Sequence, residues 1–286
     1  MAHQNQEKWS GLVDAKQRAT LVTKENLIFN NRYEGDPVAG AVKIPVRDTE
    51  VEVKVYDKAN GIDPKASTTT YATLSIDHDE AVNELIDGFD AASVPDGIVA
   101  ERLDSAGFSL AQSIDTTSVE ALEAAATVHA TKTAATDTNA YKLVLEAKAY
   151  LGRKNVPQQG RWLLVSPEFH TLLLQDPRFV KQGDLSQQLV AQGVVGQVAG
   201  FNVFECTSLD FESTTRSPGK KSTTEFIAGH PNWCHRVEAW AVPVHLQDLN
   251  GSGKYIGASA VQGRKVYGVK VSKKETVYAK RVETTG

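Results

Sequence analysis

A chain of 286 residues with 41% hydrophobic and 23% charged side chains can bury a sizeable core, as one large domain or two interlocked ones. Its formal charge of −4 argues against a protein that grips nucleic acid by charge alone. No apolar run is long enough to span a bilayer, the opening MAHQNQEKWSG lacks the apolar core of a signal peptide, and Cys206 and Cys234 offer no disulfide framework, so a reducing cytoplasm is expected.

In chain order, residues 1–38 carry sparse apolar groups. They predict a short amphipathic helix from Glu7 to about Thr20 and then an extended arm lying on the body or on a neighbour. Residues 41–75 read as a long hairpin. Its strand candidates are Ala41–Val46, Val51–Tyr56 and Thr68–Ile76, around a Lys58-Ala59-Asn60-Gly61 turn whose Asn-Gly step tolerates positive φ. In the second strand Val51, Val53 and Val55 share one face, while Glu50, Glu52 and Lys54 share the other. An apolar ribbon of this kind is an aggregation hazard unless a partner covers it, so pairing between subunits is expected.

Pro95-Asp96 opens a helical pattern through Ile98, Val99, Leu103, Ala106 and Leu110. It resumes after Asp115-Thr116 and reaches Ala126, about thirty residues if continuous. The Thr- and Ala-rich stretch Thr127–Thr138 reads as a linker, and Tyr141, Val144, Ala147 and Leu151 mark a second amphipathic helix closed by Asn155 and Pro157. Arg161–Val165 is a buried strand candidate. Ser166 and Pro167 then suit the N-cap and first position of a helix stopped by Asp176-Pro177. Gly193, Gly196 and Gly200 lead into a strand at Phe201–Phe204, Ser208–Thr224 reads as a surface loop, and strands follow at Glu225–Ala228, Arg236–His245 and within Tyr255–Val282. The sum is an α+β chain.

Charge is uneven. Asp77–Asp104 is acidic with Arg102 as its only fixed cation, and Arg264–Arg281 is basic. Two solvated faces, or complementary surfaces meeting between subunits, both fit that pattern.

Chemistry-bearing constellations are thin. His230, Cys234 and His235 make half of a zinc site at most, and a packed turn with Pro231 and Trp233 accounts for them. Ser166, His170 and Asp176 superficially suggest a hydrolase, but capping explains Ser166 and no strained elbow surrounds it. Gly251-Ser252-Gly253-Lys254 lacks the first glycine of a phosphate loop and reads as a turn. No catalytic, cofactor or metal residue is expected.

Several steps, taken in order, resemble another kind of protein. They are Tyr33-Glu34-Gly35-Asp36 with Val42-Lys43-Ile44-Pro45, Ile86–Ala92 before the long helix, and Gly160-Arg161-Trp162 before Val165-Ser166-Pro167. Gly193 to Phe201, Ala228 to Pro231 and Tyr267 to Val271 complete the series. Together they resemble the major capsid proteins of tailed phages, the Hong Kong 97-like family. The resemblance implies an N-terminal arm at 1–38 and an extended β-ribbon at 39–77. It implies a peripheral domain with a spine helix at 78–130 and 236–286, and an axial domain at 131–235 that the last strands could join. It further implies a structural protein of the virion, assembled in the host cytoplasm. Pentamers and hexamers would close an icosahedral shell around double-stranded DNA without sequence-specific binding, aided by a separate scaffold protein and a portal. The expected intersubunit contacts are Val51, Val53, Lys54, Val55, Lys58, Asn60 and Gly61. Some members of the family weld a ribbon lysine to a neighbour's asparagine. Lys54 and Lys58 stand where such a donor would be, although edge-protecting charge accounts for them without it. A compartment shell of the same fold, enclosing a cargo enzyme, is the alternative. A soluble metal-dependent or hydrolytic enzyme is the remaining one.

Overall fold

The computed structural model describes residues 16–23, 26–36, 38–47, 50–66, 68–93, 97–175, 180–181, 196–210 and 220–285. The helix expected over 7–20 falls mostly outside them, and 16–20 are not helical. Pro95-Asp96, Asp176-Pro177 and Gly193 also lie outside the described residues.

The strands are β1 (Ala41–Val46), β2 (Thr70–Ser75) and β3 (His78–Asp87), followed by the helices α1 (Gly88–Ser93) and α2 (Ile98–Ala125). Next come β4 (Thr127–Val128), α3 (Ala140–Arg153), β5 (Trp162–Val165), α4 (Pro167–Leu174), β6 (Val180–Lys181), β7 (Gly196–Val198) and β8 (Phe201–Glu205). The chain closes with β9 (Lys220–Gly229), β10 (Cys234–Asp248), β11 (Ala258–Val271) and β12 (Tyr278–Thr285).

A seven-stranded mixed sheet runs β4-β12-β9-β5-β8-β7-β6. At its centre β5 is parallel to β8 and antiparallel to β9, with Leu163 opposite Val203 and Ala228. All four residues of β5 are buried, because the sheet is covered on both faces. Leu163, Val165, Phe201 and Phe226 meet α3 and α4 on one side; Trp162, Leu164, Phe204 and Ile227 meet the end of α2 and Phe29 on the other. Phe169 and Phe226, ring centroids 4.9 Å apart, each contribute about 2–3 kcal/mol by leaving water. The α3 helix follows the spacing expected for an amphipathic segment: Leu143, Val144, Ala147 and Leu151 are buried. Asn155, at φ 56, ends it. At the start of α4, Ser166 Oγ accepts the Phe169 amide at 3.2 Å with Pro167 in the first turn, as read from sequence.

The second body is a three-stranded antiparallel sheet, β10-β11-β3, with α2 along one face. The α2 helix is continuous for 28 residues, so Asp115-Thr116 does not interrupt it. From the edge of this sheet springs the β1–β2 hairpin, whose Ile44 and Leu74 pack on Val237. The hairpin crosses β11 at Gly268, where an added Cβ would stand 2.2 Å from the Ser75 carbonyl oxygen.

Three expectations need correction. Val51–Tyr56 is not a strand: among the described residues the hairpin ladder stops at Val46–Thr70, and a strand without a partner has no ladder to hold it. Thr127–Thr138 is more than a linker, because Thr127 and Val128 pair in parallel with Tyr278 and Ala279. The Ser208–Thr224 loop is shorter than expected, since β9 begins at Lys220 and its polar first half pairs with Arg281–Thr285 of β12. Residues 211–219 of that loop lie outside the described residues.

Candidate assembly interface

Val51, Val53 and Val55 are 90, 94 and 96% exposed, among the most exposed large apolar side chains of the described residues. Lys54, Lys58 and Asn60 are exposed as well, and Gly61 is half-buried. The hairpin thus brings together all seven residues expected at an intersubunit contact, on one loop held away from the core. Among the described residues its ion pairs are loose and exposed, Glu52 with Lys54 at 3.9 Å and with Lys65 at 3.5 Å, which add little stability.

Asp57 organises the tip. Its side chain accepts the Ala59 amide at 2.8 Å and the Asn60 side-chain amide at 2.7 Å, and its carbonyl accepts the Gly61 amide at 2.9 Å. These hydrogen bonds, that of Ala59 foremost, hold the Asp57 carboxyl below the usual carboxylate range. Gly61 sits at φ 70, where a side chain would be strained. The Asn-Gly step was legible as a turn, while Asp57 was not singled out. The available signal was an acid three residues before Asn60, able to close an Asx turn.

A second device ties the arm to the body. Ile28 and Phe29 are fully buried, and the Val22 and Thr23 amides with the Thr23 hydroxyl converge on Asp115 Oδ1 at 3.0, 2.7 and 2.7 Å. Asp115, half-way along α2, reads in sequence as a break and is in fact a buried anchor.

The groups weighed as chemistry are committed internally. His235 Nδ1 lies 2.9 Å from Asn30 Oδ1, an acceptor, which assigns the ring proton there; Nε2 lies 3.1 Å from Ser272 Oγ. Burial, reinforced by Arg32, lowers this imidazole to about 4. His230 Nε2 meets the Gln159 carbonyl at 2.9 Å, its Nδ1 accepts the Asn232 amide at 3.2 Å, and burial lowers it too. The Cys234 thiol donates to the His230 carbonyl, burial raises its pKa, and Cys206 is pushed up to about 12. Neither thiol is therefore poised as a thiolate ligand or nucleophile. Ser166 is spent as a cap, and His170 pairs with Glu205.

The acidic and basic segments meet inside one chain. Arg264 donates from Nε to Asp79 Oδ1 at 2.7 Å, and the guanidinium of Arg102 grips Glu84 at 2.6–3.0 Å. Lys280, buried, donates to the Thr131 and Thr133 carbonyls at 2.8 and 2.6 Å with Glu225 at 3.9 Å; burial lowers its pKa and raises that of Glu225. Part of the charge read as a docking surface is thus spent within the chain: Arg264 with Asp79 between β11 and β3, Arg102 with Glu84 inside the acidic segment, and Lys280 in seating β12.

A two-body scaffold with an outstretched apolar hairpin and a strapped-down arm defines a subunit of an assembly. The family model described as phage capsid protein matches residues 63–279, and the chain belongs to the phage capsid protein family. A chain of Mycobacterium phage Che8 superposes with a TM-score of 0.72 at 22% identity, covering 96% of each chain. The capsid structure of cyanophage P-SCSP1u gives 0.74 at 13%, covering 96% of this chain and 92% of that one. The mature capsid of bacteriophage PhiM1 gives 0.68 at 16%, covering 97% and 92%. No curated protein matches the chain. The resemblance read from the sequence therefore holds: this is a capsid structural protein, located in the virion shell. The family match favours the phage capsid over the compartment shell.

Proposed function

We propose that the chain is the repeating subunit of an icosahedral shell, arranged as pentamers and hexamers around double-stranded DNA, with a separate scaffold protein and a portal as assembly partners. In this reading residues 1–38 form the arm, 39–77 the ribbon, 78–130 and 236–286 the peripheral domain, and 131–235 the axial domain. The pairing of β12 with β9 supports counting the last strand with the axial body. The observation that carries the reading is the nearly complete exposure of Val51, Val53 and Val55 on a hairpin whose base is buried. Contiguous exposed apolar surface of this kind marks a site of contact with another surface. Val51, Val53, Lys54, Val55, Lys58, Asn60 and Gly61 then contact a neighbouring subunit, extending the interface beyond what the compact body buries. No catalytic role is assigned to the chain. Purified particles tested for content decide the cargo: nuclease-protected double-stranded DNA supports the phage shell, and particles holding a protein cargo without nucleic acid contradict it.

A further inference from the structure

The chain holds two Asn-Gly steps, Asn60-Gly61 on the hairpin tip and Asn250-Gly251 beyond β10, and both asparagines are exposed. Such a step has a chemistry of its own. Glycine puts no side chain beside its amide nitrogen, so that nitrogen has open access to the preceding side-chain carbonyl. The Gly nitrogen, its proton taken by water or hydroxide, bonds to the Asn Cγ; the Cγ–Nδ2 bond breaks and ammonia leaves. Water then opens the cyclic imide at either carbonyl, giving aspartate or isoaspartate.

At Asn60 both reacting ends are occupied. The Gly61 amide, which must lose its proton to attack, donates to the Asp57 carbonyl at 2.9 Å. The Asn60 Nδ2, which must leave, donates to Asp57 Oδ2 at 2.7 Å, and the other carboxylate oxygen accepts the Ala59 amide at 2.8 Å. Asn250 is held differently. Its Oδ1 accepts the Gly257 amide at 2.6 Å, and its own amide donates to Asp248 Oδ1 at 2.9 Å, so nothing at this step depends on Asp57.

We propose that Asn60 is a deamidation site held back by the turn that Asp57 closes, and released when that turn opens. The change runs one way. Aspartate or isoaspartate at position 60 has no side-chain N–H to give Asp57 Oδ2. It sets a second carboxylate beside the first, so like charge replaces a hydrogen bond and the turn does not reclose. Isoaspartate also lengthens the main chain by one methylene, which alters the reach of the tip.

Peptide mapping by mass spectrometry, on the purified full chain incubated in mildly alkaline buffer, tests this. Asp57→Ala should speed conversion at Asn60 roughly tenfold over wild type, the equivalent of about 1.4 kcal/mol of lost hydrogen bonding. Asn250 in the same samples should convert at one rate in both proteins. A synthetic peptide spanning residues 55–64 supplies the unguarded rate, which wild type should not reach. Equal rates at Asn60 in wild type and Asp57→Ala overturn the proposal, and so does wild type converting as fast as the peptide. An equal rise at Asn250 also overturns it, because the substitution would then have loosened the whole chain rather than one turn.

Discussion

Asp115 Oδ1 accepts three hydrogen bonds from the arm, two of them from Thr23, whose amide and hydroxyl each lie 2.7 Å away. The contact joins residues 92 apart in sequence and fixes the arm to the middle of α2. A carboxylate buried among converging donors is worth more than any exposed ion pair along the same arm, such as Arg18 with Asp104.

Asp115→Ala strands three donors in a buried site. The expected cost is about 2–3 kcal/mol, read as a lowered urea midpoint with unchanged slope, and protease cleavage near residues 16–30 should accelerate. Thr23→Val removes, at similar volume, the hydroxyl's hydrogen bond to Asp115 and the one it accepts from Arg236 at 3.2 Å, and should cost about 1–2 kcal/mol.

His235 makes stability depend on pH. Its folded pKa of about 4 lies below the ordinary value near 6.5, so between those pH values the unfolded chain binds a proton that the folded chain refuses. Stability is therefore full above about pH 6.5 and falls as pH drops toward 4, by on the order of 1.4 kcal/mol per unit at most. Chemical denaturation at pH 7 and pH 5 should show this loss in wild type and a shallower one in His235→Gln. The same slope in both would contradict the assignment.

Lys280→Met keeps the apolar stem and removes the ammonium. It leaves the Thr131 and Thr133 carbonyls without their donor and Glu225 without its countercharge, so a loss of about 2 kcal/mol or more is expected in thermal or urea unfolding. Lys280→Met with Glu225→Gln should recover part of it, because the buried acid no longer needs a partner.

What the sequence disclosed depended on how local the cause was. Ser166 capping α4, the apolar face of α3 and the helical pattern of α2 on either side of Asp115 follow from propensity and spacing, and each stood where expected. Relations made by distant pairing were illegible. Thr127 and Val128 look like linker because their strand partner lies at residues 278–279. Lys220–Thr224 looks like loop because β12 supplies its ladder. Arg264 and Asp79 looked like faces for two subunits and neutralise each other within one. At the candidate interface the pattern of Val51, Val53 and Val55 was legible, but within a single chain they pair with nothing among the described residues.

Deleting residues 51–67 should leave the β1–β2 base, both sheets and the thermal midpoint nearly unchanged, since Val51, Val53 and Val55 touch no core cluster. Circular dichroism and size-exclusion chromatography should report a folded monomer or small oligomer. Normal shells from the deletion would remove the ribbon from the account.

Electron microscopy of the purified wild-type chain, alone and with a candidate scaffold protein, tests the central claim most directly. Closed shells, rings of five or six, or tubes are expected; a monodisperse monomer under every assembly condition, scaffold included, would contradict the assembly of this chain into a shell.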